Sequence, residues 1–229
     1  MNESNVRILL IGSKGRMGQT IVEAVKNDAN VEIRAQCDLG DAIEPAMKDC
    51  DVAIDFSNAA AIDEICSAAL KNRTPLVIGT TGHSMEQRRS IEKTAESLPI
   101  VFASNFSVGV NVLFWLSAKA AELLGRDFKP EIVETHHIKK KDAPSGTAKT
   151  LAEIIKNAAG RDSEVPVKSI REGEVVGDHV VTFVGPSERL ELTHRAGNRE
   201  IFARGAVRAA CWVVGKPPQL YSMQDVLGL

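Results

Sequence analysis

The chain is short of several things, and each shortage removes a class of protein. Its 229 residues include only four cysteines, Cys37, Cys50, Cys66 and Cys211. None forms a CxxC pair and none lies close to a histidine in sequence. Zinc-ligand spacing is therefore absent and no metal is expected. The four read as small buried hydrophobes of a reducing compartment. No apolar run reaches the ~18 residues of a membrane span. The opening MNESNVRILLIG lacks the basic start of a secretory signal. Neither a leader nor a membrane partner is expected, and the expected location is the cytoplasm. Charge of one sign is not in excess either: the net charge is −2 and the pI about 6.2. That argues against a nucleic-acid partner held by a strongly basic surface. Repeats, low-complexity tracts and flexible linkers are missing too. What remains is 44% hydrophobic and 25% charged, the proportions of a soluble globular protein. Domains run to roughly 100–200 residues, so the length fits one large domain or two small ones.

Up to about residue 105 the pattern alternates between strand and helix. Val6–Ile11, Val31–Cys37, Val52–Asp55, Leu76–Gly79 and Ile100–Ala103 are short apolar strands. Between them, Arg16–Asn27, Ala59–Lys71 and Met85–Ser97 have helical spacing. Such alternation predicts parallel strands with right-handed crossovers, a Rossmann-type doubly wound sheet of the α/β class. The pattern then changes. Val110–Leu124 is a long apolar helix, Glu131–His136 a strand, and Ser145–Ala158 a helix. Val167–Glu172, Asp178–Val184 and Glu188–His194 follow with little helix between them. Strands clustered in this way predict a second, α+β domain with an open mixed or antiparallel sheet. Arg199–Val214 is a final helix, and the tail 221–227 is expected to pack back on the first domain. The expected division is 1–107 with 200–229 as one domain, and 108–199 as the other.

The first strand runs into Gly12-Ser13-Lys14-Gly15-Arg16-Met17-Gly18, which opens the first helix. Glycines let a backbone turn sharply and approach a diphosphate, and a helix N-terminus favours the negative charge. A glycine triplet alone is weak; the strand before it and the helix after it strengthen the assignment. Asp38 ends the second strand, 20 residues beyond Gly18. That is near the ~20-residue offset of an acid that binds the ribose hydroxyls of a dinucleotide. A carboxylate there repels a 2′-phosphate, which favours NADH over NADPH. Lys14 and Arg16 pull the other way, since either could reach a 2′-phosphate.

The stretch from Glu134 to Ala148, ETHHIKKKDAPSGTA, runs from a strand end through a basic loop into a helix start. Lysine ammonium groups and helix-start N–H groups both suit carboxylates. His136 and His137 sit beside them, and histidine is the usual proton donor near neutral pH. Each feature alone has a plain structural reading, as a solvated loop or a satisfied histidine pair. Together, behind a dinucleotide loop, they point to reduction of a small anionic substrate.

Several strings carry a closer likeness. They are Gly12–Gly18, Gly79-Thr80-Thr81-Gly82, Ser104-Asn105-Phe106-Ser107-Val108-Gly109-Val110-Asn111 and the segment from His136 to Thr147. Arg171-Glu-Gly, Gly177-Asp-His179, Leu192-Thr-His194-Arg195-Ala196, Phe202-Ala-Arg-Gly-Ala-Val and Met223-Gln-Asp-Val-Leu extend it over nearly the whole chain. In these the sequence resembles the 4-hydroxy-tetrahydrodipicolinate (dihydrodipicolinate) reductase family. The resemblance implies reduction of an unsaturated cyclic dicarboxylate with NADH or NADPH, on the diaminopimelate route to lysine. It implies His136 as catalytic acid and Lys140 as catalytic lysine. Substrate-carboxylate contacts then fall to His137, Gly146 and Thr147, and Ser145 is added because it begins the anion-facing helix. Cofactor contacts fall to Gly12, Ser13, Lys14, Gly15, Arg16, Met17, Asp38, Gly79, Thr80, Thr81, Ala103, Ser104, Asn105 and Phe106. A homotetramer built through the second domain's sheet is also implied.

The chain departs from that pattern in two places. It is short between Asp38 and Asp51, and Leu39 stands where some members carry a basic residue. Two other readings compete. A non-catalytic dinucleotide sensor would keep Gly12–Gly18 and Asp38 but has no need of the segment from His136 to Thr147. Another NAD-linked amino-acid dehydrogenase would share the first domain without that string. His83, His179 and His194 are read as structural, and Trp115 and Trp212 as core or interface anchors.

Overall fold

A computed structural model describes residues 5–160 and 162–229. In chain order the elements are β1 (Val6–Ile11), α1 (Arg16–Val25), β2 (Val31–Cys37), α2 (Ile43–Met47), β3 (Val52–Asp55), α3 (Ile62–Asn72), β4 (Leu76–Ile78), α4 (Met85–Ala95) and β5 (Pro99–Phe102). There follow α5 (Val108–Leu124), β6 (Lys129–His136), α6 (Gly146–Ala158), β7 (Val167–Arg171), β8 (Asp178–Val184), β9 (Arg189–Arg195), α7 (Glu200–Val213), β10 (Gln219–Tyr221) and α8 (Met223–Leu227). Two compact units result. One runs up to Ser107 and resumes over Glu200–Gly228, and the other spans Val108–Arg199.

The first unit is built on a six-stranded parallel sheet in the order β10-β5-β4-β3-β1-β2. Its central strands are apolar throughout because both faces are covered; every residue of β3 and β4 is buried. One face carries α1, α7 and α8, with Ile8, Leu10, Ile21, Val52, Val77 and Val213 in its core. The other carries α2, α3 and α4 over Leu9, Met47, Ala53, Ile65, Leu76 and Ile91. The strand order reverses between β1 and β3, the switch point at which open α/β sheets bind ligands. The edge at β2 is explained by the short stretch 38–51. It holds only the five-residue α2, too little for a further strand outside β2.

The structure adds three elements that the sequence reading lacks. Helix α2 is short and contains Pro45, tolerated because it falls in the first turn. Strand β10 extends the sheet by pairing with β5, and α8 follows it, capped by Ser222. Cys211 is also a correction. Cys37 and Cys66 are buried and Cys50 is half-buried, but Cys211 is exposed, in line with exposed Arg208 and Arg204 one and two turns back on α7.

The second unit holds a four-stranded sheet in the order β7-β6-β8-β9. The pairings β6–β8 and β8–β9 are antiparallel, but β7 lies parallel to β6, so the sheet is mixed. Helices α5 and α6 cover one face, burying Leu113, Phe114, Leu151 and Ile155 against Ile132, Val181 and Phe183. The 20-residue stretch Val108–Asp127 is long and apolar enough, by length and composition, to cross a membrane. The sequence reading looked for an unbroken apolar run, which this stretch is not. Asn111, Ser117, Lys119 and Glu122 interrupt such a run while leaving the average high, and Val110, Leu113, Phe114 and Ala121 lie in the unit's core.

Candidate functional site

In the first unit the candidate residues gather at the carboxyl ends of β1, β2, β4 and β5. Gly12 has φ +80°, and a side chain there would meet the Phe56 carbonyl. A side chain at Gly18 would run into the Gly12 carbonyl and the Ser13 backbone. The turn and the first helical turn therefore pack backbone to backbone, which only glycine allows. Gly12 and Ser13 are buried under the turn, whereas Lys14, Gly15 and Arg16 face solvent and Met17 is half-buried.

Asp38 is tied to this loop. One carboxylate oxygen accepts the Lys14 N–H at 2.8 Å and the other the Leu39 N–H at 2.9 Å. The Leu39 and Lys14 amides hold its carboxyl below the usual range. Each oxygen still has a lone pair to offer a hydroxyl. Beside it lies a cavity of about 330 Å³ whose lining includes Gly12, Gly15, Asp38, Asp41, Phe56 and Glu64. Three of its lining residues are acids, and no lysine or arginine lines it among the described residues. Leu39 is 92% exposed at its rim. A glycine turn, a helix start and an ionised acid beside a cavity of this size fit the phosphates and ribose of a dinucleotide.

Gly79, Thr80 and Thr81 follow β4, with the Gly79 N–H bonded to the Asp55 carbonyl. Ala103 donates its N–H to Ile78, the Asn105 carbonyl side chain accepts the Ser107 N–H, and Ser104 lies between them. Phe106 is buried edge-on against Phe56, ring centroids 5.7 Å apart. Sequence reasoning missed Asp55, which ends the apolar β3 and is 1% exposed. Burial pushes its carboxyl up, opposed by hydrogen bonds from Ser57. The signal available was an acid closing the otherwise apolar Val52-Ala53-Ile54. His83 is buried edge-on to Phe102, and burial pushes its imidazole down.

In the second unit the register of four strands does the assembling. Glu134 on β6 stands opposite Ser169 on β7 and His179 on β8, and His179 stands opposite His194 on β9. His136, two residues on, pairs with Arg171. Alternation puts Glu134, His136 and His179 on the helix-covered side, in line with Ile132 and Val181. The His136 Nδ1 is hydrogen-bonded to Glu134. Glu134 is 0% exposed, and its other oxygen accepts from the Arg171 guanidinium at 2.9 Å. Burial would raise the Glu134 carboxyl, but bonds with Arg171, Ser169 and His136 outweigh it and hold the group below its usual value. Burial pushes His136 down, and Glu134 opposes this. The His136 and His179 rings meet edge to face, 5.2 Å apart. Burial, then the His136 charge, push His179 down to about 4, so His179 is neutral at pH 7.

The loop after β6 carries the lysines. The Lys140 ammonium lies 2.9 Å from Asp142 and is partly sheltered, while Lys139 is exposed. Arg171 also donates to the Asp142 carbonyl at 2.5 Å, which pins the loop. The His137 N–H donates to the Val175 carbonyl at 2.7 Å. Ser145 caps α6: its hydroxyl accepts the Ala148 N–H at 3.2 Å and lies 3.4 Å from His179 Nε2. Gly146 and Thr147 form the first turn behind it. Glu134, His136 and His179 bring ligand-type atoms within 4.8 Å of one another. In this trio Glu134 bonds His136 and is paired on its other oxygen with Arg171, while His136 meets His179 edge to face. His136 and the start of α6 thus meet across His179, and the Lys140 charge lies near enough to act on both histidines, with His137 beside them on the loop.

Two family models cover the chain. "Dihydrodipicolinate reductase, N-terminus" matches residues 6–106 and "Dihydrodipicolinate reductase, C-terminus" residues 109–227. The 4-hydroxy-tetrahydrodipicolinate reductase of Akkermansia muciniphila is 49% identical, covering 98% of each chain. That of Methanoculleus marisnigri is 43% identical over 98% of this chain and 100% of its own. Among solved structures, a dipicolinate-bound dihydrodipicolinate reductase from Paenisporosarcina sp. TG-14 matches with a TM-score of 0.82 at 25% identity. That match covers 96% of this chain and 98% of the other.

Proposed function

The chain belongs to the dihydrodipicolinate reductase family, and from that premise we propose how its own residues perform the reaction. The enzyme reduces 4-hydroxy-tetrahydrodipicolinate, by way of dihydrodipicolinate, to tetrahydrodipicolinate with NAD(P)H, in the diaminopimelate route to lysine. The observation that carries the assignment of roles is the locus formed by His136, Lys140 and the start of α6 within one unit.

The substrate is a ring with two carboxylates. Lys140 and the N-terminal turn of α6, Ser145 to Thr147, hold one of them by charge and backbone N–H groups, assisted by His137. Fixing the ring lowers the entropic part of the barrier. The coenzyme, when bound, supplies a hydride to one carbon of the conjugated system. His136 and Lys140 stabilise the negative charge that develops on the neighbouring atom, and His136 delivers the proton there. The hydride and the proton together saturate one double bond, and solvent reprotonates the imidazole.

The Gly12–Met17 turn and Asp38 hold the dinucleotide's phosphates and ribose, and Gly79–Thr81 with Ala103–Phe106 line the way to the nicotinamide. Acids around the Asp38 cavity favour NADH, since a 2′-phosphate would meet Asp38, Asp41 and Glu64 with no lysine or arginine lining the cavity among the described residues. The sheet of the second unit has a face not covered by α5 or α6 and is the natural surface for a homotetramer. The enzyme works in the cytoplasm with a small dicarboxylate as its only substrate partner besides the coenzyme. Loss of absorbance at 340 nm on adding freshly made substrate and NADH tests the reading. A dinucleotide sensor would give no oxidation, and an amino-acid dehydrogenase would prefer a different substrate in a panel.

A further inference from the structure

We propose that Glu134, clamped by Arg171, is a positioning residue that fixes the His136 ring and keeps its Nδ1 proton directed at the carboxylate, leaving Nε2 as the working nitrogen. The proposal rests on the reading of His136 as proton donor.

Three observations carry it. First, Glu134 is 0% exposed and hydrogen-bonds His136 Nδ1. A buried carboxylate accepts only, so in the neutral ring the proton sits on Nδ1 and the lone pair on Nε2. Second, Arg171 holds the other Glu134 oxygen at 2.9 Å and the Asp142 carbonyl at 2.5 Å, so the carboxylate cannot swing away. Third, a side chain at residue 177 would stand 2.9 Å from His136 Nε2 and 3.3 Å from its Cδ2. Gly177 keeps that nitrogen clear. The groups facing His136 are Glu134 on its own strand, Arg171 from β7, His179 from β8 and Lys140 from the following loop. Lys140 and Arg171 disfavour the imidazolium and Glu134 favours it. Without the Glu134 charge, the two cations and burial act unopposed.

The test is Glu134→Gln, which keeps shape and removes the charge. We expect kcat to fall about tenfold or more, because the carboxylate that fixes the tautomer and orientation of a working histidine is neutralised, with substrate KM changed less than threefold. Proton donation requires the imidazolium, so kcat falls as pH rises through the His136 pKa. In Glu134→Gln that falling limb moves to lower pH. Glu134→Asp restores the charge and returns the limb towards its original position. An unmoved limb in Glu134→Gln overturns the proposal, whether kcat is kept or lost, because a merely structural role would not touch the pH profile. His136→Gln separates the two levels. Full turnover in it refutes the proton-donor reading, and with it this proposal. Lost turnover there with an unmoved limb in Glu134→Gln refutes only the role of Glu134. If Glu134→Gln does not fold, ¹⁵N NMR of the native protein decides. Of five histidines, the one lost in His136→Gln must carry its proton on Nδ1 when neutral, and an Nε2–H tautomer contradicts the proposal.

Discussion

His179 offers a stability prediction whose size follows from its surroundings. It lies opposite Glu134 on β8, 3% exposed, and burial and His136 hold its pKa at about 4 against an ordinary 6.5. The folded pKa is the lower one, so between pH 6.5 and 4 the unfolded chain binds more protons than the folded one. Its contribution is fully present above pH 6.5 and is lost as pH falls towards 4. At about 1.4 kcal/mol per tenfold in acidity, the loss from this one imidazole is about 3 kcal/mol. The perturbation is His179→Gln, which keeps a polar group beside Ser145 but has no proton to gain. Urea unfolding of both chains at pH 7 and pH 4, at one protein concentration, gives the difference. His179→Gln is expected to cost stability at pH 7 through lost packing and to recover about 3 kcal/mol relative to wild type by pH 4. The groups common to both chains cancel. A stability difference that does not change between the two pH values would refute the idea that a neutral, buried His179 is part of the fold.

Three further outcomes are expected. Lys140→Ala raises substrate KM and lowers kcat while the KM for NADH stays within about twofold; a loss confined to NADH affinity would show the lysine misplaced. The ratio of kcat/KM for NADH over NADPH exceeds one, and a strong preference for NADPH contradicts the repulsion assigned to Asp38, Asp41 and Glu64. Gly18→Ala forces the helix start away from the Gly12 turn. It should raise the coenzyme KM at least tenfold and cost roughly 1–3 kcal/mol of stability, the usual range for overpacking, measured by kinetics and thermal unfolding together.

Much of the architecture was legible in the sequence because it rests on local pattern. The apolar runs at Val6–Ile11 and Val52–Asp55 and the turn Gly12–Gly18 announce a parallel sheet with a helix after its first strand. Ser84 and Ser145 mark helix starts and cap α4 and α6. What stayed hidden depends on partners. The three residues of β10 carry no periodicity and become a strand only because β5 offers an open edge. The direction of β7 is set by the connection that brings it beside β6, not by its side chains. In the site, the loop from His136 to Thr147 was readable as one continuous string. The supporting residues Glu134, Arg171 and His179 were not, since they meet only through the β6–β7 and β6–β8 registers. Cys211 looked like core material by type, and only its place on the Arg204–Arg208 stripe turns it outwards.

The central claim is that a doubly negative ring is held by Lys140 and the start of α6 with His136 alongside. A crystal grown with pyridine-2,6-dicarboxylate tests it most directly. The account predicts one carboxylate within hydrogen-bonding distance of the Lys140 ammonium and the Ser145–Thr147 turn, with the His136 Nε2 facing the ring. A diacid bound away from residues 136–147 would contradict it.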